Sequence, residues 1–232
     1  MERQKIQPWF PEENQNRESE GGRRKLKQKE ELRKMLTDSE FTTKGTCAIR
    51  LLLAKLDIIN AIWKRTLNRD VIQNTTGRIK GYESTLKKLK KKELEPDCGI
   101  ALEKIHDLLG VRGICSYVDD IYEVADLIRK QEDFHILKEK DYIKNPKKSG
   151  YQSLHLILEV PVTLQEETQW MKVELQLRTA AMDYWANLDH ELRYKKTEKE
   201  IGEVDEALRQ CADVIRTLDL RMLEIRKKIA SM

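Results

Sequence analysis

A short stretch near residue 175 combines the residue types that metal and anion chemistry needs. Over residues 172–179 apolar and polar side chains alternate, and the polar positions hold Glu174, Gln176 and Arg178. A period of two predicts a strand with one apolar and one polar face. An acid and a guanidinium on that polar face, in a chain with a basic phosphate-type segment, favour a metal ion and an anion bound side by side.

Residues 78–92 form a strongly basic segment, with seven lysines and arginines against one acid, Glu83. If the segment is helical, Lys80, Ser84 and Lys88 recur every four residues, over two turns that span about 11–12 Å. Lysines and a hydroxyl aligned in this way suit successive phosphate groups. The buried stripe of that helix would contain Ile79, Tyr82, Leu86 and Leu89. A solvated lysine face and a nonspecific RNA-binding patch are the competing interpretations, and no P-loop motif is present.

An acid and an arginine flank the start of the first strand that we predict in the central part of the chain. Asp107 stands five residues before Arg112. A carboxylate at a strand entrance can bind Mg²⁺, and a planar guanidinium can stack on a nucleobase. The competing interpretation is a helix-terminal acid and an ordinary edge-strand arginine.

The segment from residue 140 to residue 155 is rich in lysine and leads into another predicted strand. Gly150 releases Tyr151 at the mouth of this strand, where an aromatic ring can stack on a base. Lys147 and His155 could then reach the phosphates of the same ligand. Alternatively, Tyr151 closes the edge of the core and His155 is a strand histidine with its hydrogen bonds satisfied.

Composition limits the class of protein. The chain has 232 residues, of which 36% are charged, and its net charge is +4. No apolar run approaches the roughly 20 residues that span a bilayer, and residues 1–28 contain no signal-type apolar core. The cysteines form no CxxC pair; they are Cys47, Cys98, Cys115 and Cys211. We therefore expect a cytoplasmic protein without a membrane partner.

The patterns divide the chain into four parts. We expect a flexible polar tail over residues 1–22, helices over 23–76, a catalytic core over 77–195 and a C-terminal helix over 196–232. Strands are expected at residues 111–118, from residue 134, at 153–160 and at 171–178. An apolar helical stripe is expected at Ile49, Leu52, Leu53, Leu56, Ile59 and Trp63. This order predicts an α/β (α+β) fold with a central sheet of about four to five strands and helical extensions at both ends.

Four strings of residues occur in an order that resembles the RelA/SpoT-type (p)ppGpp synthetases, in their small single-domain branch. They are Gly77–Lys80 with Ser84 and Lys88, Asp107–Arg112, Lys140–His155, and Glu174–Thr179. The resemblance covers about residues 45–195. It implies a nucleotidyltransferase-like mixed sheet and an enzyme that moves the β,γ-pyrophosphate of ATP to the 3′-hydroxyl of GDP or GTP, releasing AMP.

The resemblance also implies roles for individual residues. On the ATP side, Arg78 and Arg112 would sandwich the adenine. The ATP phosphates would be bound by Lys80, Ser84 and Lys88. Asp107 and Glu174 would bind Mg²⁺, and Glu174 would also help to deprotonate the 3′-hydroxyl of the acceptor. On the acceptor side, Tyr151 would stack on the guanine, and Lys147 and His155 would bind the phosphates. Gln176 and Arg178 would line the same site. The resemblance further implies a synthetase without hydrolase activity, and a homotetramer in which the C-terminal helix is an oligomerisation element, against simple intramolecular packing of that helix.

Two departures from the family pattern and two competing functions remain. Ser149 and Asp183 stand where we expect asparagine in some members, and both positions concern the acceptor side. One competing function keeps the fold but pyrophosphorylates the 3′ end of tRNA. The other is a non-catalytic module that binds single-stranded RNA. Asp107 and Glu174 argue against this second possibility, because carboxylates in the groove do not help to bind a polyanion.

Overall fold

The computed structural model describes residues 13–164, 167–193 and 198–232. The elements are α1 (Glu13–Thr37), α2 (Ser39–Leu67), β1 (Ile72–Ile79), α3 (Tyr82–Lys91), α4 (Cys98–Lys104), β2 (Leu109–Cys115), α5 (Val118–Arg129), β3 (His135–Asp141), β4 (Leu154–Leu164), β5 (Glu167–Thr179), α6 (Ala180–Arg193) and α7 (Glu198–Ala230). No helix within these residues is long and apolar enough to cross a membrane.

The chain forms two compact units. Among the described residues, the smaller unit contains 13–38 and 81–105, and the larger unit contains 39–80 with the chain from residue 106 onward. The smaller unit is helical, with α1 packed against α3 and α4. The larger unit contains the sheet and the helices α2, α5, α6 and α7.

The first part of the chain is more helical than we expected. Of the predicted tail, residues 1–12 lie outside the described residues, whereas residues 13–22 belong to α1. The helix α1 thus begins within the segment that was expected to be a polar tail. Glutamate, arginine and lysine are good helix formers. Buried Leu32 and Leu36 give the same helix an apolar anchor further along.

A five-stranded mixed sheet has the strand order β1-β2-β5-β4-β3. The central pair β2 and β5 is parallel, and the other neighbouring pairs are antiparallel. This confirms the predicted mixed sheet. The prediction of helices up to residue 76 was wrong, because residues 72–79 form the edge strand β1. Most side chains of β1 are at least partly exposed, so its sequence lacks the apolar alternation that marks a half-buried strand.

The helix α3 is shorter than the basic segment suggested. It begins at Tyr82, with Gly81 as its N-cap residue. Lys80 instead prolongs β1, since its backbone N–H donates to the carbonyl oxygen of Leu108 at 2.7 Å. The predicted stripe was therefore wrong in including Ile79, which belongs to β1, and the buried residues of α3 are Thr85 and Leu89.

The hydrophobic core lies between the helices α2 and α5 and one face of the sheet. The stripe expected on α2 is largely confirmed, because Ile49, Leu52, Leu56 and Ile59 are buried. They cluster with α5 and with the alternate apolar residues of β2, β4 and β5. At Gly77 a Cβ atom would lie 2.3 Å from Cγ2 of Ile49, so glycine lets β1 approach α2 closely. The apolar residues of the sheet face this core, and the polar residues of its strands occupy the opposite face.

Candidate active site

Register places polar side chains from all five strands in one row across the sheet. Thr76 pairs with Arg112, Arg112 with Gln176, Gln176 with His155, and His155 with Lys140. Directly paired residues point to the same face of a sheet. The interior position of β2 also rules out the interpretation of Arg112 as an edge-strand residue.

The adjacent row has Glu174 at its centre. On one side Glu174 pairs with Gly110, which pairs in turn with Arg78. On the other side Glu174 pairs with Ile157 of β4. The acid of β5 and the arginines of β1 and β2 therefore share one face of the sheet, as the alternation at residues 172–179 predicted for β5.

A cavity of about 230 Å³ opens on this face over β1 and β2. Its lining consists of Thr76, Gly77, Arg78, Asp107, Gly110, Val111, Arg112 and Gln176. Two guanidinium groups and one carboxylate therefore meet around a space that a planar, electron-rich ligand can enter. The structure brings together Arg78 and Arg112, to which the family resemblance assigns the adenine, and Asp107, to which it assigns the metal.

Lys80 and Asp107 form an ion pair that the sequence analysis did not anticipate. The Nζ atom of Lys80 donates to Oδ2 of Asp107 at 3.0 Å, and the two side chains are only 12% and 11% exposed. Both residues border the ladder between β1 and β2, where Lys80 N–H meets the carbonyl of Leu108. The pair joins the lysine expected on the donor phosphates to the acid expected on the metal.

The carboxylate of Glu174 is buried and held from two sides. Nε2 of Gln176 donates to Oε2 of Glu174 at 2.6 Å, and Nδ1 of His155 lies 3.4 Å from Oε1. The side chain of Glu174 is 9% exposed. Two neighbouring side chains thus orient one carboxylate on the polar face of β5.

His155 connects Glu174 to Tyr151. The Nε2 atom of His155 lies 2.9 Å from the hydroxyl of Tyr151, and that hydroxyl also accepts a hydrogen bond from Arg178. Burial lowers the pKa of His155, although the nearby carboxylate of Glu174 opposes this. In the tautomer with the proton on Nδ1, the ring donates towards Glu174 and accepts a hydrogen bond from the hydroxyl of Tyr151 at Nε2.

Tyr151 is partly buried and lies close to two cations. Nζ of Lys147 is 4.5 Å from the centre of its ring, and Cζ of Arg178 is 5.0 Å from it. Burial raises the pKa of the phenol, against the opposing effect of Arg178. The structure thus combines Lys147, Tyr151, His155 and Arg178 in one cluster. Tyr151 also packs against a small apolar cluster of Trp185, Leu208 and Ala212.

Asp183 lies between two arginines of the site. Its Oδ1 atom is 2.9 Å from Nη1 of Arg112 and 3.1 Å from Nη1 of Arg178. Burial lowers the pKa of Arg112, and the positive charge of Arg178 adds to this effect while Asp183 counteracts it. In the sequence Asp183 stands out only as a departure from the family pattern. Its position in the first turn of α6, five residues after Arg178, was the available signal.

Ser84 and Lys88 lie in the smaller unit. They are one helical turn apart on α3 and therefore share one face of that helix. The expected alignment of these two residues is present, whereas Lys80 stands outside the helix. The proposed stripe of three residues on one helix was therefore wrong in its first member.

The carboxylates of Asp107 and Glu174 form the candidate metal site. Asp107 lies two residues before the start of β2, and Glu174 lies on β5, which is paired with β2. Within the described residues no group of three or more His, Cys, Asp or Glu side chains could hold a metal ion. Mg²⁺ commonly binds one or two carboxylates together with the phosphates of a substrate. Asp107 lines the cationic cavity, and Glu174 pairs with Gly110 of the same lining, so the two carboxylates supply the type of hard oxygen donor that such a site needs.

Comparisons with known proteins agree with this geometry. Residues 77–199 match the family described as a region found in RelA / SpoT proteins. The chain is 40% identical over 182 residues to the GTP pyrophosphokinase YwaC of Bacillus subtilis, covering 78% of this chain and 87% of that one.

Solved structures extend the likeness to the fold. Small alarmone synthetase 1 of Bacillus subtilis, bound to its product pppGpp, superimposes with a TM-score of 0.73 at 31% identity, covering 82% of this chain and 97% of that one. The same synthetase bound to AMPCPP gives a TM-score of 0.67 at 28% identity, covering 83% and 97%. With its cationic cavity, its buried Glu174 and its family match over residues 77–199, this chain belongs to the RelA/SpoT family.

Proposed function

We propose that this protein is a GTP pyrophosphokinase that transfers the β,γ-pyrophosphate of ATP to the 3′-hydroxyl of GDP or GTP. The observation that carries the proposal is the buried Glu174, oriented by Gln176 and His155 on the same sheet face as the cavity that Arg78 and Arg112 line. The similar proteins YwaC, a GTP pyrophosphokinase, and small alarmone synthetase 1, with bound pppGpp, support it.

The donor nucleotide occupies the cavity over β1 and β2 in this proposal. Arg78 and Arg112 stack on the adenine, because guanidinium planes pack well on aromatic rings. Lys80 contributes a positive charge to the phosphates. The family resemblance implies Ser84 and Lys88 as further phosphate ligands. The AMPCPP bound by small alarmone synthetase 1 supports an ATP-like donor.

Asp107 and Glu174 are the residues that would hold Mg²⁺. When bound, the ion supplies charge neutralisation for the phosphates and polarises the attacking hydroxyl. The ion pair with Lys80 holds the carboxylate of Asp107 in place next to the donor side.

Glu174 accepts the proton of the 3′-hydroxyl in the proposed reaction. The 3′-oxygen forms a bond to the β-phosphorus of ATP while the bond from that phosphorus to the bridging oxygen of the α-phosphate breaks, and AMP leaves. Such a transfer depends mainly on positioning and charge stabilisation. Gln176 and His155 keep the carboxylate of Glu174 in one orientation.

The acceptor nucleotide binds beside Tyr151. The tyrosine ring stacks on the guanine, and Lys147, which lies over this ring, meets the acceptor's phosphates. Gln176 and Arg178 line the same side. His155 can contact those phosphates only by giving up its approach to Tyr151 or Glu174, so its main contribution in this structure is to orient them.

A product assay tests the proposal. The full chain is incubated with Mg²⁺, ATP labelled at the β-phosphate, and GDP or GTP, with a parallel sample that contains EDTA. We expect ppGpp or pppGpp and an equal amount of AMP, no reaction with EDTA, and no hydrolysis of added ppGpp. Untouched ATP, or the release of free pyrophosphate, would contradict the proposal. Transfer of the label to tRNA instead of the guanine nucleotide would favour an RNA acceptor.

We further propose a homotetramer that uses α7. Along this helix a stripe of exposed apolar side chains recurs at intervals of four, three and four residues, consisting of Leu218, Met222, Ile225 and Ile229. Such spacing suits pairing with another helix. Light scattering after size exclusion should give the mass of four chains. A double substitution, Met222→Glu with Ile229→Glu, should reduce that mass, and a monomeric wild type would contradict the proposal.

A further inference from the structure

One turn of α7 lies directly against the loop that carries Lys147 and Tyr151. We define residues 142–153 as the acceptor loop. Gly150 has a φ of +90°, and a Cβ atom there would lie 2.6 Å from Cβ of Ala212 and 3.3 Å from Cα of Arg209. The backbones of helix and loop are therefore in contact. Glycine on one side and alanine on the other leave no space for a larger side chain.

Two side chains reinforce this contact. Gln152 is 5% exposed, and its Nε2 atom donates a long hydrogen bond of 3.5 Å to the carbonyl oxygen of Ala212. Nε1 of Trp185 donates to the carbonyl oxygen of Leu208 at 2.8 Å. Both acceptors belong to the same stretch of α7. Tyr151 packs on the small apolar cluster of Trp185, Leu208 and Ala212.

Gly150 is connected by hydrogen bonds to the turn that contains Lys147 and Tyr151, the two residues that are proposed to bind the acceptor. The N–H of Gly150 donates to the carbonyl oxygen of Lys147 at 2.8 Å, and the N–H of Lys147 donates to the carbonyl oxygen of Tyr151 at 3.2 Å. These bonds close a tight turn. A displacement of Gly150 therefore moves Lys147 and Tyr151 together.

We propose that Ala212 is a positioning residue for the acceptor nucleotide, acting through Gly150 and the acceptor loop. This inference rests on the proposed function, since it assigns a task to the loop in that reaction. A substitution at Ala212 should also distinguish between the two nucleotides. The donor cavity is lined by β1, the β2 region and Gln176, and no described residue of α7 contributes to its lining. A change at Ala212 should therefore alter binding of the acceptor and leave binding of ATP nearly unchanged.

The test is Ala212→Leu in the full chain, with Ala207→Leu as a matched control. Ala207 is on the same helix and exposed, so the same increase in volume is accommodated there without packing against the loop. We expect Ala212→Leu to raise the KM for GDP about tenfold, since overpacking displaces the loop, and to change the KM for ATP by less than about twofold. The control should match the wild type in both values.

A second variant changes the loop side of the contact between Gly150 and Ala212. Gly150→Ala should raise the KM for GDP, and adding Ala212→Gly should recover part of the loss because it removes the opposing methyl group. Hydrogen exchange of residues 142–153 gives a readout without catalysis, and it should be faster in Ala212→Leu than in Ala207→Leu.

The outcomes separate this inference from the proposed function. A wild-type protein that makes no ppGpp would overturn the proposed function. With an active wild type, equal rises in both KM values, or unchanged GDP binding together with unchanged exchange in both Ala212→Leu and Gly150→Ala, would overturn the role of Ala212 alone. If Ala212→Leu does not fold, Gly150→Ala and its partner substitution decide the question by the same measurements.

Discussion

Lys80 and Asp107 form a nearly buried ion pair, in which Nζ lies 3.0 Å from Oδ2 and the side chains are 12% and 11% exposed. The pair is located where β1 ends and β2 begins. In the proposed reaction Lys80 meets the donor phosphates and Asp107 meets the metal. A single contact therefore connects two roles that the sequence analysis had assigned to separate motifs.

Lys80→Met should impair both stability and catalysis. Removing one partner of a buried pair leaves an uncompensated charge and typically costs about 3–5 kcal/mol. The loss of a positive group at the phosphates should lower kcat on the order of a hundredfold. Urea denaturation and the product assay measure the two effects. Lys138→Met is the control, because Lys138 is exposed on β3. A Lys80→Met protein as stable and active as the control would refute the importance of the pair.

Glu174→Gln should abolish turnover without loss of folding. The amide has the same shape and can still accept the hydrogen bond from Gln176, but it cannot take a proton. General-base catalysis typically contributes 10²–10⁴-fold, so we expect a decrease in kcat of about a thousandfold. Glu159→Gln on the neighbouring strand β4 is the matched control and should remain active. Full activity of Glu174→Gln would remove this residue from the proton transfer.

Asp183 should stabilise the site through its charge as well as its hydrogen bonds. Asp183→Ala leaves Arg112 and Arg178 without their shared acceptor and should reduce stability by about 1–3 kcal/mol. Asp183→Asn should lose less, because the amide oxygen still accepts one hydrogen bond. The difference in stability between Asp183→Asn and the wild type should shrink at high salt, which screens the repulsion between the arginines. Denaturation at low and high salt measures this, and a salt-independent difference would contradict the electrostatic explanation.

Asp219 should make the stability of the fold depend on pH. Burial raises the pKa of Asp219 above its ordinary value of 3.8, although the hydroxyl of Thr179, which donates to Oδ2 at 2.7 Å, opposes this. The folded state therefore favours the protonated form. The resulting stabilisation is present below the ordinary pKa and is lost as the pH rises through the raised one.

The substitution Asp219→Asn isolates this effect. It retains an acceptor for Thr179 but has no charge, so its stability relative to the wild type should increase between about pH 4 and pH 7. Urea denaturation at both pH values measures the change. A relative stability of Asp219→Asn that falls with rising pH would show that the buried carboxylate is favoured in its ionised form.

Local patterns were sufficient for much of the fold. The alternation over residues 172–179 predicted the polar face of β5, and the helical spacing from Ile49 to Ile59 predicted the buried side of α2. Both features repeat with the period of their own secondary structure, so neighbouring residues contain the information. The edge strand β1 was not predicted from the sequence, because most of its side chains are exposed and its sequence therefore lacks such a period.

The sequence by itself determined the residue types, their order and which of them share a face of one strand or helix. Tertiary structure alone decided that Lys80 meets Asp107, that Asp183 lies between Arg112 and Arg178, and that Ala212 meets Gly150. These contacts join residues on different elements, and their existence depends on strand register and helix packing. Register and packing are set by the summed burial of the whole core, which no short stretch of sequence contains.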